Sequence, residues 1–121
     1  MILKYRTFHQ WAKSEGLTDH SLAQSIKEIE QGLFEANLGN GLYKKRIARK
    51  GFGKRRGYRT ILAFRQYDRA IFMYGFAKNE RDNITSKEEM VYKKLAAYYL
   101  GTTELKLNSL IKSGELVEVI V

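Results

Sequence analysis

The sequence predicts an α+β domain in which an N-terminal helical hairpin packs on a twisted antiparallel sheet of three to five strands, with C-terminal helices after the sheet. Two observations support this fold class: apolar residues recur every three or four positions near both ends of the chain, and they alternate in its middle. The links between the predicted strands are short, which favours an antiparallel meander. A length of 121 residues suits one core, and no Pro-rich or low-complexity stretch divides it, so residues 1–121 are predicted to form a single domain.

The first third of the chain predicts an edge strand followed by two helices. Ile2 to Tyr5 is a short apolar start that is typical of an edge strand. Thr7 is expected to cap a short helix that stops at Gly16, and Thr18 is expected to cap a longer one. The longer helix carries one apolar stripe, formed by Leu22, Ile26, Ile29 and Leu33.

The middle of the chain predicts three sequential strands. They follow a turn cluster at residues 37–41 and cover Leu42 to Arg49, Tyr58 to Arg65 and Arg69 to Ala77. A flexible basic loop from Lys50 to Gly57 is expected to join the first two strands, and a tight turn the last two.

The C-terminal part predicts two helices and a last strand. A Ser86-x-x-Glu89 capping box is expected to begin a helix that runs to about Leu100. Its inward residues are expected to be Met90 or Val91, Leu95, and Tyr98 or Tyr99. A helix over Glu104 to Lys112 and a strand from Leu116 to Val121 follow. We expect the helices to cover one face of the sheet and to leave the other face open.

The basic charge is concentrated in one folded segment. Between Ala36 and Tyr67 lie ten of the 22 Lys and Arg residues and none of the 13 Asp and Glu residues. The formal net charge of +9 therefore belongs to this segment, since the remaining twelve basic residues are balanced by acids. Apolar and aromatic residues run through the segment, so we expect it to be folded. A folded surface of one sign favours a nucleic-acid partner over a lipid surface.

The composition excludes several classes of site. The chain has no Cys, which excludes disulfides, Cys-based metal sites and thiol nucleophiles. Its acidic residues and two His are scattered without the spacing of metal ligands, so we expect neither a metal nor another cofactor. No stretch approaches the roughly 18 apolar residues of a membrane span, and no secretion signal is recognisable. We therefore expect a soluble cytoplasmic protein with no membrane partner.

Strand alternation places several cations together on the open face of the sheet. Three of them come from the first two long strands, namely Lys44, Arg46 and Arg59. Two others leave the sheet where the third strand ends, namely Lys78 and Arg81. An alternative is that these cations only keep a solvated face soluble. Solubility alone favours mixed signs, however, and this face lacks acids.

This group of cations suits cleavage of RNA without a metal. The neighbouring 2′-hydroxyl is then the nucleophile, so the protein has to orient it, remove its proton and stabilise the negative charge that develops on the phosphate. A lysine accepts a proton only as the neutral amine, and the adjacent cations Lys45 and Arg46 favour that form of Lys44.

Three segments together resemble the core of RelE-type toxins of type II toxin–antitoxin systems, and more closely the phage-associated RelE/HigB-like branch. They are LYKKRIAR at 42–49, GYRTILAFR at 57–65 and YGFAKNERDNI at 74–84. The resemblance covers nearly the whole chain and implies a RelE-like fold. It also implies an mRNA interferase, an endoribonuclease that works on the ribosome next to the 16S rRNA and inhibits translation and growth. A cognate antitoxin, expected to be a small helix-turn-helix protein, would silence it.

The resemblance assigns roles to residues at matching positions. Lys44 and Arg46 match an alternating basic pair, the candidates for the general base and for phosphate contact, and Arg59 matches an arginine that holds the scissile phosphate. Lys78 and Arg81 match basic positions after the last strand of the meander and complete the catalytic candidates. The candidate RNA-binding residues around them are Lys45, Arg49, Lys50, Lys54, Arg55, Arg56 and Arg65.

Two positions depart from the pattern of the family. Asn79 stands where RelE sequences carry a catalytic arginine, and Ile84 and Thr85 stand where a tyrosine is expected. Protonation of the leaving group and base stacking are then left to other side chains. Tyr92 or Tyr74 substitutes in one interpretation, and both are core aromatics in the other.

Two other functions stay open at this point. One is a non-catalytic nucleic-acid-binding module that uses the same face. The other is the ParE-like branch of the same fold, which poisons DNA gyrase and has no nuclease chemistry. The set of Lys44, Arg46 and Arg59 favours the ribonuclease, because gyrase poisons of the family generally lack it.

Overall fold

The structure is a computed structural model that describes residues 1–49 and 53–121, the side chains of residues 53–56 excepted. Six strands and four helices follow one another over these residues. The strands are β1 (Ile2–Tyr5), β2 (Ala36–Gly39), β3 (Leu42–Arg49), β4 (Gly53–Arg65), β5 (Arg69–Ala77) and β6 (Leu116–Glu118). The helices are α1 (Arg6–Glu15), α2 (Asp19–Glu30), α3 (Ser86–Gly101) and α4 (Glu104–Ser113).

All six strands belong to one sheet, in the order β2-β3-β4-β5-β1-β6. Neighbouring strands are antiparallel except for β1 and β5, which are parallel. The α+β class and the β3-β4-β5 meander are therefore confirmed. Three to five strands was too low a number for the described part of the chain, because β2 was not predicted.

The position of β1 differs from the predicted edge strand. It lies between β5 and β6, and the edge on that side is β6. Leu3 is fully buried and the Lys4 side chain is buried against Asp19, to which its Nζ donates at 2.5 Å. A strand with buried side chains on both faces belongs in the interior of a sheet, and β1 gets its second neighbour only when the far end of the chain returns as β6.

Helices cover both faces of the sheet, which corrects the expectation of one open face. The hairpin α1–α2 packs on one face, here called the hairpin face, with a core that includes Phe8, Leu22, Leu62 and Phe72. The helices α3 and α4 pack on the other, here called the C-terminal face, with a core that includes Ile61, Ile71, Leu100 and Leu107. The strand β4 sends apolar residues to both faces, as a strand in the middle of a covered sheet must.

The predicted cap of α2 is confirmed, whereas those of α1 and α3 were wrong. Thr18 accepts a hydrogen bond from the backbone N–H of Ser21 at 3.2 Å. Thr7 lies inside α1, which begins at Arg6 without a side-chain cap. The capping box of α3 is formed by Thr85 and Glu88, one residue earlier than predicted.

The predicted inward face of α3 was partly wrong. Tyr92, Leu95 and Tyr99 pack on the C-terminal core, and of these Leu95 and Tyr99 were predicted. The expected alternatives Met90, Val91 and Tyr98 are half exposed or more. Leu33 is also exposed, because α2 ends at Glu30 and the chain turns at Gly32.

The bounds of the turn and strands in the basic segment also differ from the prediction. Asn40 and Gly41 both have positive φ and join β2 to β3, so the predicted turn cluster is a β-hairpin with a two-residue turn. The strand β4 begins at Gly53 rather than Tyr58 and takes up most of the predicted basic loop. Residues 50–52 of that loop lie outside the described residues. Among the described helices, none combines the length and the apolar character that crossing a membrane requires.

Candidate functional site

The register of three neighbouring strands sets the geometry of the candidate site. Arg46 of β3 is opposite Arg59 of β4, which is opposite Phe76 of β5. In the next row Lys44 is opposite Ile61, which is opposite Tyr74. Residues that face each other across strands project to the same side of a sheet, and Ile61 and Phe76 belong to the C-terminal core. Lys44, Arg46 and Arg59 therefore share one face, as strand alternation predicts.

Arg59 occupies the middle strand of this cluster and is only 4% exposed. Burial is the main cause that lowers the pKa of the Arg59 guanidinium, and the nearby positive charge of Arg46 acts in the same direction. The carboxylate of Glu35 acts in the opposite direction. Arg46, by contrast, has a side chain that is 44% exposed. The cluster thus has a buried cation at its centre and a solvated cation beside it.

Glu35 belongs to the cluster and was not predicted from the sequence. Its carboxylate accepts two hydrogen bonds from the backbone N–H of Arg46, at 2.7 and 3.0 Å, and Arg46 Nε lies 3.5 Å from its Oε2. Glu35 is the residue just before the acid-free segment. The hairpin between β2 and β3 turns at Asn40-Gly41 and brings Glu35 beside Arg46. This Asn-Gly turn is therefore the sequence signal that could have located Glu35.

Arg81 approaches the same face from the turn after β5 and is tied down there. Its guanidinium donates to Tyr74 Oη at 3.0 Å and to Glu88 Oε2 at 3.1 Å, and its second amino group contacts Glu88 Oε1. Arg81 Nε donates to the carbonyl oxygen of Asn83 at 2.9 Å. The guanidinium also lies 5.5 Å from the ring centre of Tyr74 and 5.9 Å from that of Phe76. Arg81 therefore joins β5 to the first turn of α3.

In the Arg81–Glu88 ion pair, each residue stabilises the charged form of the other. Hydrogen bonds from Arg81, and next the backbone N–H of Thr85, lower the pKa of Glu88 to about 2. The bonds to Glu88 and to Tyr74 raise the pKa of Arg81. Both groups are therefore charged at neutral pH. The pair fixes the positive charge of Arg81 within hydrogen-bonding distance of the Tyr74 hydroxyl.

Tyr92 extends the aromatic side of the cluster. Its ring stacks on that of Tyr74 with centres 6.1 Å apart and an angle of 17° between the rings. Burial, followed by the nearby carboxylate of Glu88, raises the pKa of Tyr92. Both tyrosines are partly buried and pack on the C-terminal core. Of the two, Tyr74 is the one whose hydroxyl contacts a predicted catalytic candidate.

Several candidates lie away from this cluster. Lys45 projects to the hairpin face, is 2% exposed, and its Nζ lies 2.7 Å from Glu28 Oε1. Arg49 lies over the ring of Tyr58, 5.7 Å from its centre. Lys45 therefore does not join the surface formed by Lys44 and Arg46, because adjacent residues of a strand project to opposite faces.

The remaining candidates are the catalytic candidate Lys78 and five RNA-binding candidates. Arg65 is at the other end of β4, where its Nε donates to Asp68 Oδ2 at 2.7 Å. Lys78 is exposed in the turn that follows β5. Three candidates lie at the start of the strand β4, where the side chains are not described, namely Lys54, Arg55 and Arg56. Lys50 lies outside the described residues.

The part of the chain that the structure describes contains no set of side chains arranged as metal ligands. No group of three or more His, Asp or Glu side chains there has a geometry that could hold an ion. The chemistry available at the cluster is that of cations, one carboxylate beside Arg46, and a tyrosine hydroxyl held by Arg81.

The comparisons with known proteins point to one family. No curated protein matches the chain significantly. The family model described as the RelE toxin of the RelE/RelB toxin–antitoxin system matches residues 1–119. This match covers the hairpin, the whole sheet and the C-terminal helices, which together carry the cluster around Arg59. The chain therefore belongs to the RelE toxin family and is the toxin of a toxin–antitoxin system.

Proposed function

We propose that this toxin is a metal-independent endoribonuclease that cleaves mRNA on the translating ribosome. The observation that carries the proposal is the row in which Arg46 faces Arg59, with Lys44 one pair away on the same face. These three cations lie on neighbouring strands and form a compact positive cluster, with Arg59 buried and Arg46 exposed. Phosphate oxygens are the groups that such a surface binds best.

The buried position of Arg59 suits it to hold the scissile phosphate. A guanidinium that is already desolvated needs little reorganisation of solvent when charge develops on the phosphate oxygens. Arg46 is more exposed and supports contact with the RNA backbone next to the cleaved bond. Together these two arginines stabilise the extra negative charge of the transition state.

Lys44 is the proposed general base. It takes the proton from the 2′-hydroxyl, whose oxygen attacks the phosphorus, and a 2′,3′-cyclic phosphate forms as the bond to the 5′-oxygen breaks. Of the two adjacent cations that were expected to favour a neutral Lys44 amine, only Arg46 shares its face. Lys45 lies on the hairpin face, where it forms an ion pair with Glu28.

The cellular setting follows from the proposed substrate. We propose that the toxin acts in the cytoplasm, because mRNA and ribosomes are found there. We propose that a small helix-turn-helix antitoxin is its inhibitor and that the chain belongs to the phage-associated RelE/HigB-like branch of the family.

The test is translation of a defined mRNA by purified ribosomes in the presence of the protein, with and without EDTA, followed by primer extension. We expect new 5′ ends that persist in EDTA and that depend on Lys44 and Arg59. Lys44→Ala and Arg59→Ala should each lower the cleavage rate by about 100-fold or more. Lys106→Ala, an exposed lysine on α4, is the matched control and should cleave like the wild type.

Three outcomes would contradict the proposal. Intact mRNA at stoichiometric protein would exclude the nuclease, and steep salt-dependent binding without product would indicate a binding module. Cleaved plasmid in the presence of DNA gyrase, with intact mRNA, would indicate a gyrase poison. Because Arg59 is buried, its substitution could unfold the protein. Thermal melts followed by circular dichroism show whether each variant that has lost cleavage is still folded.

A further inference from the structure

The proposed mechanism lacks a group that protonates the leaving 5′-oxygen. Asn79 cannot act as an acid, and it lies in the exposed turn after β5. Arg81 makes four hydrogen bonds, to Tyr74, Glu88 and Asn83, which use four of its five N–H donors and involve all three nitrogens. The Glu88 pair also raises the pKa of Arg81 and so opposes the release of a proton from it. The acid has to be another group on the same face.

Resting on the proposed ribonuclease function, we propose that Tyr74 is the catalytic acid and that Arg81 is its positioning residue. Tyr74 is opposite Ile61, and this pair is the next one after Arg59–Phe76 on the same face of the sheet. Tyr74 is therefore a diagonal neighbour of Arg59. Such diagonal neighbours lie about 7–8 Å apart at the backbone, within reach of one phosphate group between their side chains. Lys44 lies in the same row on the far side of Ile61. The row thus has a base at one end and an acid at the other.

The hydrogen bond from Arg81 determines which way the tyrosine proton points. Arg81 donates to Tyr74 Oη at 3.0 Å, so the oxygen accepts there and its own proton is directed elsewhere. The guanidinium also stabilises the negative charge that the oxygen carries after it gives up the proton. Glu88 holds the guanidinium in place, and Tyr92 stacks on the ring and restricts its rotation.

The step balances without any further reactant. The 2′-oxygen forms its bond to phosphorus as Lys44 takes the 2′-proton, and the bond from phosphorus to the 5′-oxygen breaks as Tyr74 gives its proton to that oxygen. The enzyme is left with a charged Lys44 ammonium and a Tyr74 phenolate beside Arg81. Proton exchange with water restores both groups.

The experiment compares wild type and Tyr74→Phe in single-turnover cleavage of an mRNA with one cleavable linkage, on ribosomes. We expect a loss of about 100- to 1,000-fold in the rate for the normal oxygen linkage. The same mRNA with sulfur in place of the bridging 5′-oxygen has a leaving group that needs no proton. For that substrate, wild type and Tyr74→Phe should differ by no more than about threefold.

The sulfur substrate separates an acid from a structural role. If Tyr74 only supports the fold or binds RNA, Tyr74→Phe slows both substrates equally, and the proposal is wrong. It is also wrong if Tyr74→Phe cleaves the oxygen substrate at the wild-type rate, or if the selective loss appears in Tyr92→Phe instead. Tyr98→Phe, the same change on the exposed side of α3, is the matched control and should behave as wild type. A wild-type protein that cleaves neither substrate would overturn the proposed function itself.

Discussion

Lys44 and Lys45 are adjacent and chemically identical, and the fold gives them opposite environments. Lys44 faces the cluster with Arg46 and Arg59, whereas the ammonium of Lys45 is buried on the hairpin face beside Glu28. A buried cation with a carboxylate partner contributes to stability mainly through the penalty of leaving that partner alone. The two lysines therefore separate activity from stability.

We expect Lys45→Ala to lower the free energy of unfolding by about 1–3 kcal/mol, because it leaves Glu28 partly buried without its lysine and opens a gap in the core. Urea denaturation measures this, with Lys44→Ala as the matched control that should change stability by less than about 0.5 kcal/mol. In cleavage assays the order should reverse, with Lys44→Ala defective and folded Lys45→Ala active. Equal effects of both variants in either assay would contradict the assignment.

The Arg81–Glu88 pair predicts a defined acid dependence. The folded pKa of Glu88 is about 2, below its ordinary value of 4.5, so the carboxylate stabilises the fold above pH 4.5 and this contribution is lost as the pH falls toward 2. The difference in urea midpoint between wild type and Glu88→Gln should be full above pH 4.5 and shrink toward zero near pH 2. A difference that is constant over this range would show that the charge of Glu88 contributes nothing.

At the scale of elements, Gly75 shows how closely α1 sits on the sheet. A Cβ built at Gly75 would clash with the Trp11 ring, so any side chain there has to displace the tryptophan. We expect Gly75→Ala to lower the free energy of unfolding by about 1–3 kcal/mol through overpacking. Gly101→Ala is the matched control, since a Cβ there meets nothing within 4 Å and φ is not positive. Urea unfolding that is unchanged in Gly75→Ala would contradict this packing.

The elements that the sequence predicts well are those set by local pattern. The strands β3 and β5 have the predicted bounds, and α2 has the predicted cap, because alternation and capping act within a few residues. The interior place of β1 and the helices on both faces depend on contacts between distant parts of the chain. In the site, alternation was enough to group Lys44, Arg46 and Arg59. The place of Glu35 depends on the Asn40-Gly41 hairpin, which is a local signal. The place of Arg81 beside Tyr74 depends on the docking of α3, which no local pattern encodes.

At the scale of the whole molecule, the described structure distributes the basic segment over two faces and both ends of β4. Among the described side chains of this segment, only Lys44, Arg46 and Arg59 converge. We therefore propose that the net charge of +9 attracts a polyanion at long range, whereas these three residues bind it locally.

This division predicts the salt dependence of RNA binding. With an RNA whose 2′-hydroxyls are methylated and which cannot be cleaved, the logarithm of the affinity should fall steeply with the logarithm of salt concentration. Lys44→Gln and Arg46→Gln should each reduce the magnitude of that slope by about 0.7, the value for one phosphate contact on a single strand. Lys106→Gln on α4 should leave the slope unchanged, and an equal reduction in that control would show that the slope reports net charge alone.

The interior position of β1 bears on the order in which a growing chain acquires its shape. Ile2 pairs with Ala70, and Leu3 pairs with Glu118, so both neighbours of β1 come from much later in the sequence, whereas β3, β4 and β5 are consecutive strands that pair with one another. The meander with Lys44, Arg46 and Arg59 can assemble before the sheet is closed by β1 and β6. During synthesis β1 can pair with β5 as soon as β5 has emerged, but the outer edge of β1 stays uncovered until β6 follows. The strands that carry the proposed site can thus be in place before the last strand joins the sheet.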